Sequence, residues 1–185
     1  MPDHIERLRF TLSTFGLIGV AAVTLQIAHE LAHWLACRML GYVCFLGLNS
    51  SGALSASTAH WHGPVIDLAG PLLTVLAACA FTYLIVKRGQ TALYPFLLFC
   101  FAMRLLASIF GVIFMHNDEA RLSLWLGWAP QVLPLLVCLF LFWLVYHAAR
   151  EARAGLRYNC LAMLAIYTYV ALIIAVDVKT HLRLI

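Results

Sequence analysis

The chain has 185 residues, of which 64% are hydrophobic and 11% are charged, and its formal net charge is +4. Soluble domains average about 45–50% apolar and about 25% charged residues, so this composition excludes an ordinary water-soluble globule. We expect an integral membrane protein whose main partner is the lipid bilayer. The basic residues form no aromatic-rich patch, so no nucleic-acid partner is expected, and nothing in the sequence indicates an oligomeric state.

Five apolar stretches are each long enough to cross a bilayer, which takes about 20 helical residues. The predicted spans are Phe10–Met39, Pro64–Val86, Thr91–Met115, Ala129–His147 and Tyr158–Val176. After the first span, the glycine- and serine-rich segment Gly41–Ala59 predicts one or two short strands or an ordered loop. The pattern predicts an all-α polytopic membrane protein that forms one membrane-embedded domain over residues 1–185.

Between the third and fourth spans, residues 116–128 predict a short interfacial helix. Trp125 and Trp128 are expected at the level of the lipid headgroups, where tryptophan is enriched. The first apolar run ends in a histidine motif and not in a small-residue cleavage site, so it is not expected to be a removable signal peptide. The six cysteines are scattered without CxxC spacing, and we predict that they are packing residues. They are Cys37, Cys44, Cys79, Cys100, Cys138 and Cys160.

The stretch "IAHELAHWLA", residues 27–36, places three polar side chains in an apolar helix. His29 and His33 are four residues apart and therefore lie on one helical face. With Glu30 they form an HExxH motif, in which the histidines bind zinc and the glutamate acts as general base. The alternative is a pair of histidines that only hydrogen-bond to their neighbours, but burying all three groups in lipid without a function is costly.

A catalytic zinc takes three protein ligands and one water, so a third ligand is needed. Successive spans alternate in direction, which brings the end of the third span to the side of the membrane where the first span ends. Asp118 is there and is the favoured third ligand; Glu119, His60 and His62 are the alternatives. Asn117 is expected either to hydrogen-bond the substrate or to cap a helix.

The second span carries Asp67, Gly70 and Thr74 on one helical face. This small, polar face is suited to approach the metal or an extended substrate, and the alternative is helix packing through small residues. In the third span, Arg104 is costly in lipid and is expected to face a polar partner that the sequence does not identify.

The motifs "HELAH" at His29–His33, "LAGPLLT" at Leu68–Thr74 and "NDE" at Asn117–Glu119 resemble those of the site-2 protease family of intramembrane zinc metallopeptidases. The resemblance covers residues 10–120 and implies a three-helix catalytic core. It also implies zinc bound by the two histidines and Asp118, with Glu30 activating water. Residues 121–185 would add the interfacial segment and two further spans.

Two positions depart from the family pattern. The family usually has asparagine at the position of Thr74, and its aspartate motif is usually followed by glycine, whereas this chain continues with Glu119.

The expected function is therefore an intramembrane zinc metalloendopeptidase that cleaves a membrane-protein substrate within or next to the bilayer. The alternative is a catalytically inactive, metal-binding pseudoprotease that holds a client protein. A di-iron oxidase is disfavoured because it needs more histidines than this side of the membrane offers. Seven positive residues fall on the side of the N-terminus against four on the other, which predicts a cytoplasmic N-terminus and a site near the outer face.

Overall fold

The structure is a computed structural model that describes residues 8–54, 59–113, 116–180 and 183–184. Most of these residues are helical. Within these residues there are six α-helices, and five of them are long and apolar enough to cross a membrane. The helices are α1 (Leu12–Met39), α2 (His62–Arg88), α3 (Tyr94–Ile113), α4 (Asp118–Trp125), α5 (Val132–Glu151) and α6 (Leu156–Thr180). The predicted multi-pass, all-α class is confirmed. Arg7, residues 55–58 of the predicted insert and Met115 lie outside the described residues.

The start of α1 and the end of α5 are set by local side-chain and backbone contacts and do not coincide with the limits of the apolar runs. The Thr11 hydroxyl accepts a hydrogen bond from the backbone N–H of Thr14 and so caps α1. Pro134 lies in the first turn of α5, where a missing N–H costs nothing, so it does not interrupt that helix. The same helix continues past its apolar run to Glu151, four residues beyond the predicted end of the fourth span.

The bundle is organised around α1, which packs against α2, α3 and α6, while α5 packs against α2 and α3. Fully buried small and apolar residues such as Ala21, Ala78 and Leu97 fill the space between these helices. Many large apolar side chains on the outer helix faces are exposed, among them Leu72, Leu139 and Leu172. These outer faces are the surfaces that acyl chains would cover in a bilayer.

A short antiparallel hairpin follows α1, as the glycine- and serine-rich segment predicts. It consists of β1 (Cys44–Leu46) and β2 (Ser51–Ala53), with Phe45 opposite Gly52. The hairpin packs against α1. The outer edge of β1 is covered by the C-terminal segment, because the Leu184 N–H donates to the carbonyl oxygen of Leu46 over 2.7 Å.

The prediction that all six cysteines are packing residues is wrong for two of them. Cys37, in the last turn of α1, forms a disulfide with Cys44 at the start of β1. The chain reverses direction between them at Gly41, whose φ of +86° is in the left-handed region that glycine adopts readily. This turn brings together two cysteines seven residues apart without CxxC spacing. Cys79, Cys100, Cys138 and Cys160 are free.

The disulfide predicts a definite thiol count. Denatured protein that has not been reduced should take up alkylating reagent at four cysteines, and reduced protein at six, as measured by intact-protein mass spectrometry. The double variant Cys37→Ser/Cys44→Ser should take up four under both conditions. Six alkylated cysteines in unreduced wild-type protein would contradict the bond between α1 and β1.

Candidate metal centre

Three side chains from two distant helices meet at one point of the bundle. The Nε2 atoms of His29 and His33 are 3.1 Å apart, and each lies 3.3 Å from Oδ2 of Asp118. Ligand atoms that bind a four-coordinate ion at about 2.0–2.1 Å lie about 3.3 Å from one another. Both imidazoles are buried, with 6% and 5% of their surface exposed. The structure therefore brings the three predicted ligands together with the spacing that a metal ion requires.

The second nitrogen of each imidazole is held by α2. Nδ1 of His33 lies 2.6 Å from the carbonyl oxygen of Ile66, which can only accept, so this nitrogen carries the proton. Nδ1 of His29 lies 3.1 Å from the Thr74 hydroxyl, which itself donates to the Gly70 carbonyl and therefore accepts from the ring. With both Nδ1 atoms protonated, both Nε2 atoms turn lone pairs towards Asp118. A cation at this point would satisfy all three acceptors.

Gly70 allows α2 to approach the two imidazoles this closely. A Cβ atom at this position would lie 2.7 Å from Nδ1 of His29 and would also collide with Nε2 of His33. Real Cβ atoms essentially never show such contacts, so any larger residue would displace the imidazole nitrogens of this candidate centre. The face of α2 that carries Gly70 and Thr74 therefore reaches the site, as predicted. Gly70 contributes by having no side chain, which lets the helix approach the imidazoles.

Asp118 is oriented by an arginine that the sequence analysis did not identify. Arg121 donates to Oδ1 of Asp118 over 2.8 Å and to both carboxylate oxygens of Asp67 over 2.9 and 2.7 Å. This network ties α4 to α2 and leaves Oδ2 of Asp118 facing the histidines. Asp67 faces Arg121 and is not among the three metal-facing groups.

The Asp118 carboxyl lies outside the membrane-spanning helices and is ionised. Burial alone would raise its pKa, but a hydrogen bond from His29 or His33 while that imidazole is protonated, together with the charge of Arg104, lowers the pKa well below its usual range. An ionised carboxylate is the form that binds a metal ion.

Glu30 is held by two hydrogen bonds that reach it from different elements. Its Oε1 accepts from the Gln26 amide over 3.2 Å, and its Oε2 accepts from the Ser51 hydroxyl of β2 over 2.8 Å. Gln26 also donates to Asn49, in the turn of the hairpin. The hairpin therefore contacts the predicted general base directly. Only the contact with Gln26 could have been predicted from the sequence, because Gln26 precedes Glu30 by one helical turn.

A cavity of about 410 Å³ connects the metal-facing atoms, Glu30 and Asn117. The Oδ1 atom of Asn117 accepts from the Ala120 N–H over 2.9 Å and caps α4, as one of the two predicted roles requires. Its Nδ2 atom is buried and has no hydrogen-bond partner among the described residues. An unpaired buried donor beside a cavity is available to a bound molecule.

The alternative third ligands face other partners. Oε1 of Glu119 accepts from NH1 of Arg104 over 3.1 Å, which also identifies the partner that Arg104 requires. His62 is hydrogen-bonded to the Tyr42 hydroxyl over 2.6 Å. The ring of His60 lies against Trp125.

Both tryptophans predicted at headgroup level, Trp125 and Trp128, are exposed.

The charged side chains in and beside the cavity also favour a cation. Four carboxylates face two guanidinium groups, which leaves a formal charge of −2 when all six are ionised and the histidines are neutral. They are Glu30, Asp67, Asp118 and Glu119 against Arg104 and Arg121. An uncompensated negative charge in a low-dielectric site is costly, and one divalent ion would cancel it.

Comparison with known proteins found no relative of this chain. No family model matches the chain, and neither a curated protein nor a solved structure matches it. The geometry of the site is therefore the basis for assigning a function.

The hydrogen bond from His29 to Thr74 predicts the effect of removing the hydroxyl. Thr74→Val keeps the shape of the side chain but leaves Nδ1 of His29 without an acceptor, so metal affinity should fall about 10- to 100-fold. Thr82→Val is the matched control, because in the described part of the chain the Thr82 hydroxyl bonds within its own helix, to the Ala78 carbonyl. Metal affinity measured by competition with a chelator should be unchanged in the control. Equal affinities in wild type and Thr74→Val would contradict the role given to this hydroxyl.

Proposed function

We propose that this protein is a zinc metalloendopeptidase that cleaves a peptide bond of another membrane protein within or next to the bilayer. The observation that carries the proposal is the meeting of His29, His33 and Asp118 at one cavity that Glu30 also lines. Two of the motifs that resemble the site-2 protease family, HELAH and NDE, supply these four residues. The remaining motif, LAGPLLT, lies on α2, which holds both imidazoles.

Zinc is the metal that best fits the donor set and its surroundings. Two imidazoles and one carboxylate with an open position are typical of hydrolytic zinc sites. The same three ligands also bind iron in oxygenases. A buried carboxylate next to the first histidine favours hydrolysis, because a hydrolytic reaction needs a general base beside the metal.

Each residue around the site has a separate role in the proposed peptide hydrolysis. A bound zinc would supply the Lewis acidity that polarises the scissile carbonyl and makes a water acidic enough to attack. Glu30 accepts the proton of that water and passes it to the departing amine. Gln26 and Ser51 fix the two oxygens of Glu30, so that the carboxylate is oriented before substrate arrives. The free Nδ2 group of Asn117 donates to a backbone carbonyl of the substrate.

The substrate must reach the cavity as an extended strand. A helix is about 10–12 Å wide with its side chains, and its carbonyls are already hydrogen-bonded, so a membrane helix has to unwind locally. The β1 edge of the hairpin is paired with Leu184, and among the described residues no further strand pairs with β2. We propose that the unwound substrate pairs with β2, the strand that carries Ser51.

One observation favours the catalytically inactive alternative. The Thr74 hydroxyl accepts a hydrogen bond from His29 and donates its proton to the Gly70 carbonyl, so it has no proton left to donate to a substrate. A protein that binds zinc and a client but releases no product would fit this second candidate.

Two features support a site near the outer face with the N-terminus in the cytoplasm. Positive residues are more numerous at the N-terminal end of the bundle, and cytoplasmic loops carry the excess of lysine and arginine. The Cys37–Cys44 disulfide lies at the opposite end, next to the metal centre. Disulfides persist in oxidising compartments, which supports our proposal that this end lies outside the cytoplasm.

The variant Glu30→Gln tests the proposed activity most sharply. It removes the base and keeps the size of the side chain, so zinc content should remain at the wild-type level while cleavage falls at least about 100-fold. The assay is mass spectrometry of products from end-tagged single-span membrane proteins reconstituted with the purified enzyme in liposomes.

Glu151→Gln is the matched control, because Glu151 is an exposed acid at the end of α5, and it should cleave like wild type. A Glu30→Gln protein that cleaves at the wild-type rate would exclude this residue as the base.

A further inference from the structure

Arg104 is a buried cation whose position the metal-binding scheme does not explain. It lies within the membrane-spanning helix α3 and only 4% of its surface is exposed. Its NH1 atom donates to Glu119 over 3.1 Å and lies 3.6 Å from Oδ2 of Asp118. Its NH2 atom lies 3.5 Å from Nε2 of His29. The guanidinium therefore faces one edge of the metal-binding triangle.

The ion pair with Glu119 uses only part of the hydrogen-bonding capacity of Arg104. A guanidinium carries five N–H groups in a fixed plane. Among the described residues, Nε has no partner, and the one hydrogen-bond contact of NH2 is Nε2 of His29. That contact is long, and the lone pair of Nε2 is the one that a metal ion would take. With the metal bound, the NH2 group is free to donate to another acceptor at the metal.

The charge of Arg104 is compatible with a neighbouring metal ion because Glu119 balances it. The carboxylate of Glu119 is almost completely buried, with 1% of its surface exposed, and its oxygen contacts the guanidinium directly. The pair is neutral overall, so it adds little repulsion towards a divalent cation. The donors of NH2 nevertheless remain directed at the site. This is the arrangement of a preorganised hydrogen-bond donor for an oxygen that gains charge.

We propose that Arg104 is a catalytic residue whose NH2 group donates to the scissile carbonyl oxygen as negative charge develops on it. This inference rests on the proposed peptidase function. The water oxygen bonds to the carbonyl carbon, the π pair moves to the carbonyl oxygen, and Glu30 takes the proton. When the carbonyl re-forms, the C–N bond breaks and the amine nitrogen takes the proton from Glu30. Arg104 stays protonated throughout and stabilises the oxygen at both barriers.

The test uses a double variant that removes the pair without changing the net charge. Arg104→Met alone would leave Glu119 buried and unpaired, which can prevent folding. Arg104→Met/Glu119→Gln removes both charges together. Arg150→Met is the control for the same replacement, because Arg150 lies in the last turn of α5, away from the metal centre, and it should keep wild-type activity.

The expected result separates catalysis from metal binding. The double variant should hold as much zinc as wild type, with kcat reduced about 100- to 1,000-fold and KM changed much less, as for loss of one oxyanion donor. Inorganic phosphate, titrated calorimetrically into the zinc-loaded protein, should bind at least 10-fold more weakly than to wild type. Phosphate places an anionic oxygen at the metal, so this readout requires no substrate.

Several results would overturn the inference. Near wild-type cleavage by the double variant would show that Arg104 is only structural. Loss of zinc would show that Arg104 acts by holding the ligands. Phosphate binding as tight as in wild type would show that its donors do not face the metal, whether or not cleavage is seen. If wild-type protein cleaves nothing but its phosphate affinity depends on Arg104, the peptidase proposal fails while the position of the donor is upheld.

Discussion

Three lone pairs directed at one point inside a membrane bundle are the constraint on which the rest of this structure depends. Two imidazole nitrogens and a carboxylate oxygen cannot lie about 3 Å apart in a low-dielectric interior unless a proton or a cation lies between them. Thr74 and the Ile66 carbonyl hold the Nδ1–H groups, so in the neutral imidazoles both Nε2 atoms are acceptors, and a cation would pair with all three groups. The neighbouring helices are arranged accordingly. Gly70 gives α2 the clearance to make these contacts, and Arg121 fixes Asp118 against α2.

A second set of contacts connects the proposed base to parts of the chain far from it in sequence. Glu30 is bonded to Ser51 on the hairpin, the hairpin is joined to the end of α1 by the Cys37–Cys44 disulfide, and its other edge is paired with Leu184. The Leu48 N–H also donates to Asp177 in α6. The last helix therefore has a role in the site, because it braces the element that orients Glu30. This gives α6, which carries no recognisable motif, a physical connection to the proposed chemistry.

The parts of the site that follow from helical periodicity could be predicted from the sequence. His29 and His33 share a face because they are four residues apart, and Asp118 reaches them because successive spans alternate in direction. The number of spans and the hairpin followed from hydropathy and from the glycine- and serine-rich segment. The remaining contacts depend on how each helix is rotated about its own axis, which one sequence does not specify. Asp118 and Glu119 are adjacent, yet one turns to the histidines and the other to Arg104. The disulfide likewise depends on the turn at Gly41 and not on cysteine spacing.

The central claim is that the bundle holds one zinc ion between the two histidines and the carboxylate of Asp118. Metal analysis of purified wild-type protein beside Asp118→Ala and His62→Ala tests it most directly, because His62 is a nearby histidine whose imidazole bonds to Tyr42 instead. The account predicts about one zinc per chain in wild type and in His62→Ala, and loss of zinc in Asp118→Ala. Zinc that persists without Asp118 but disappears without His62, or iron in place of zinc, would contradict it.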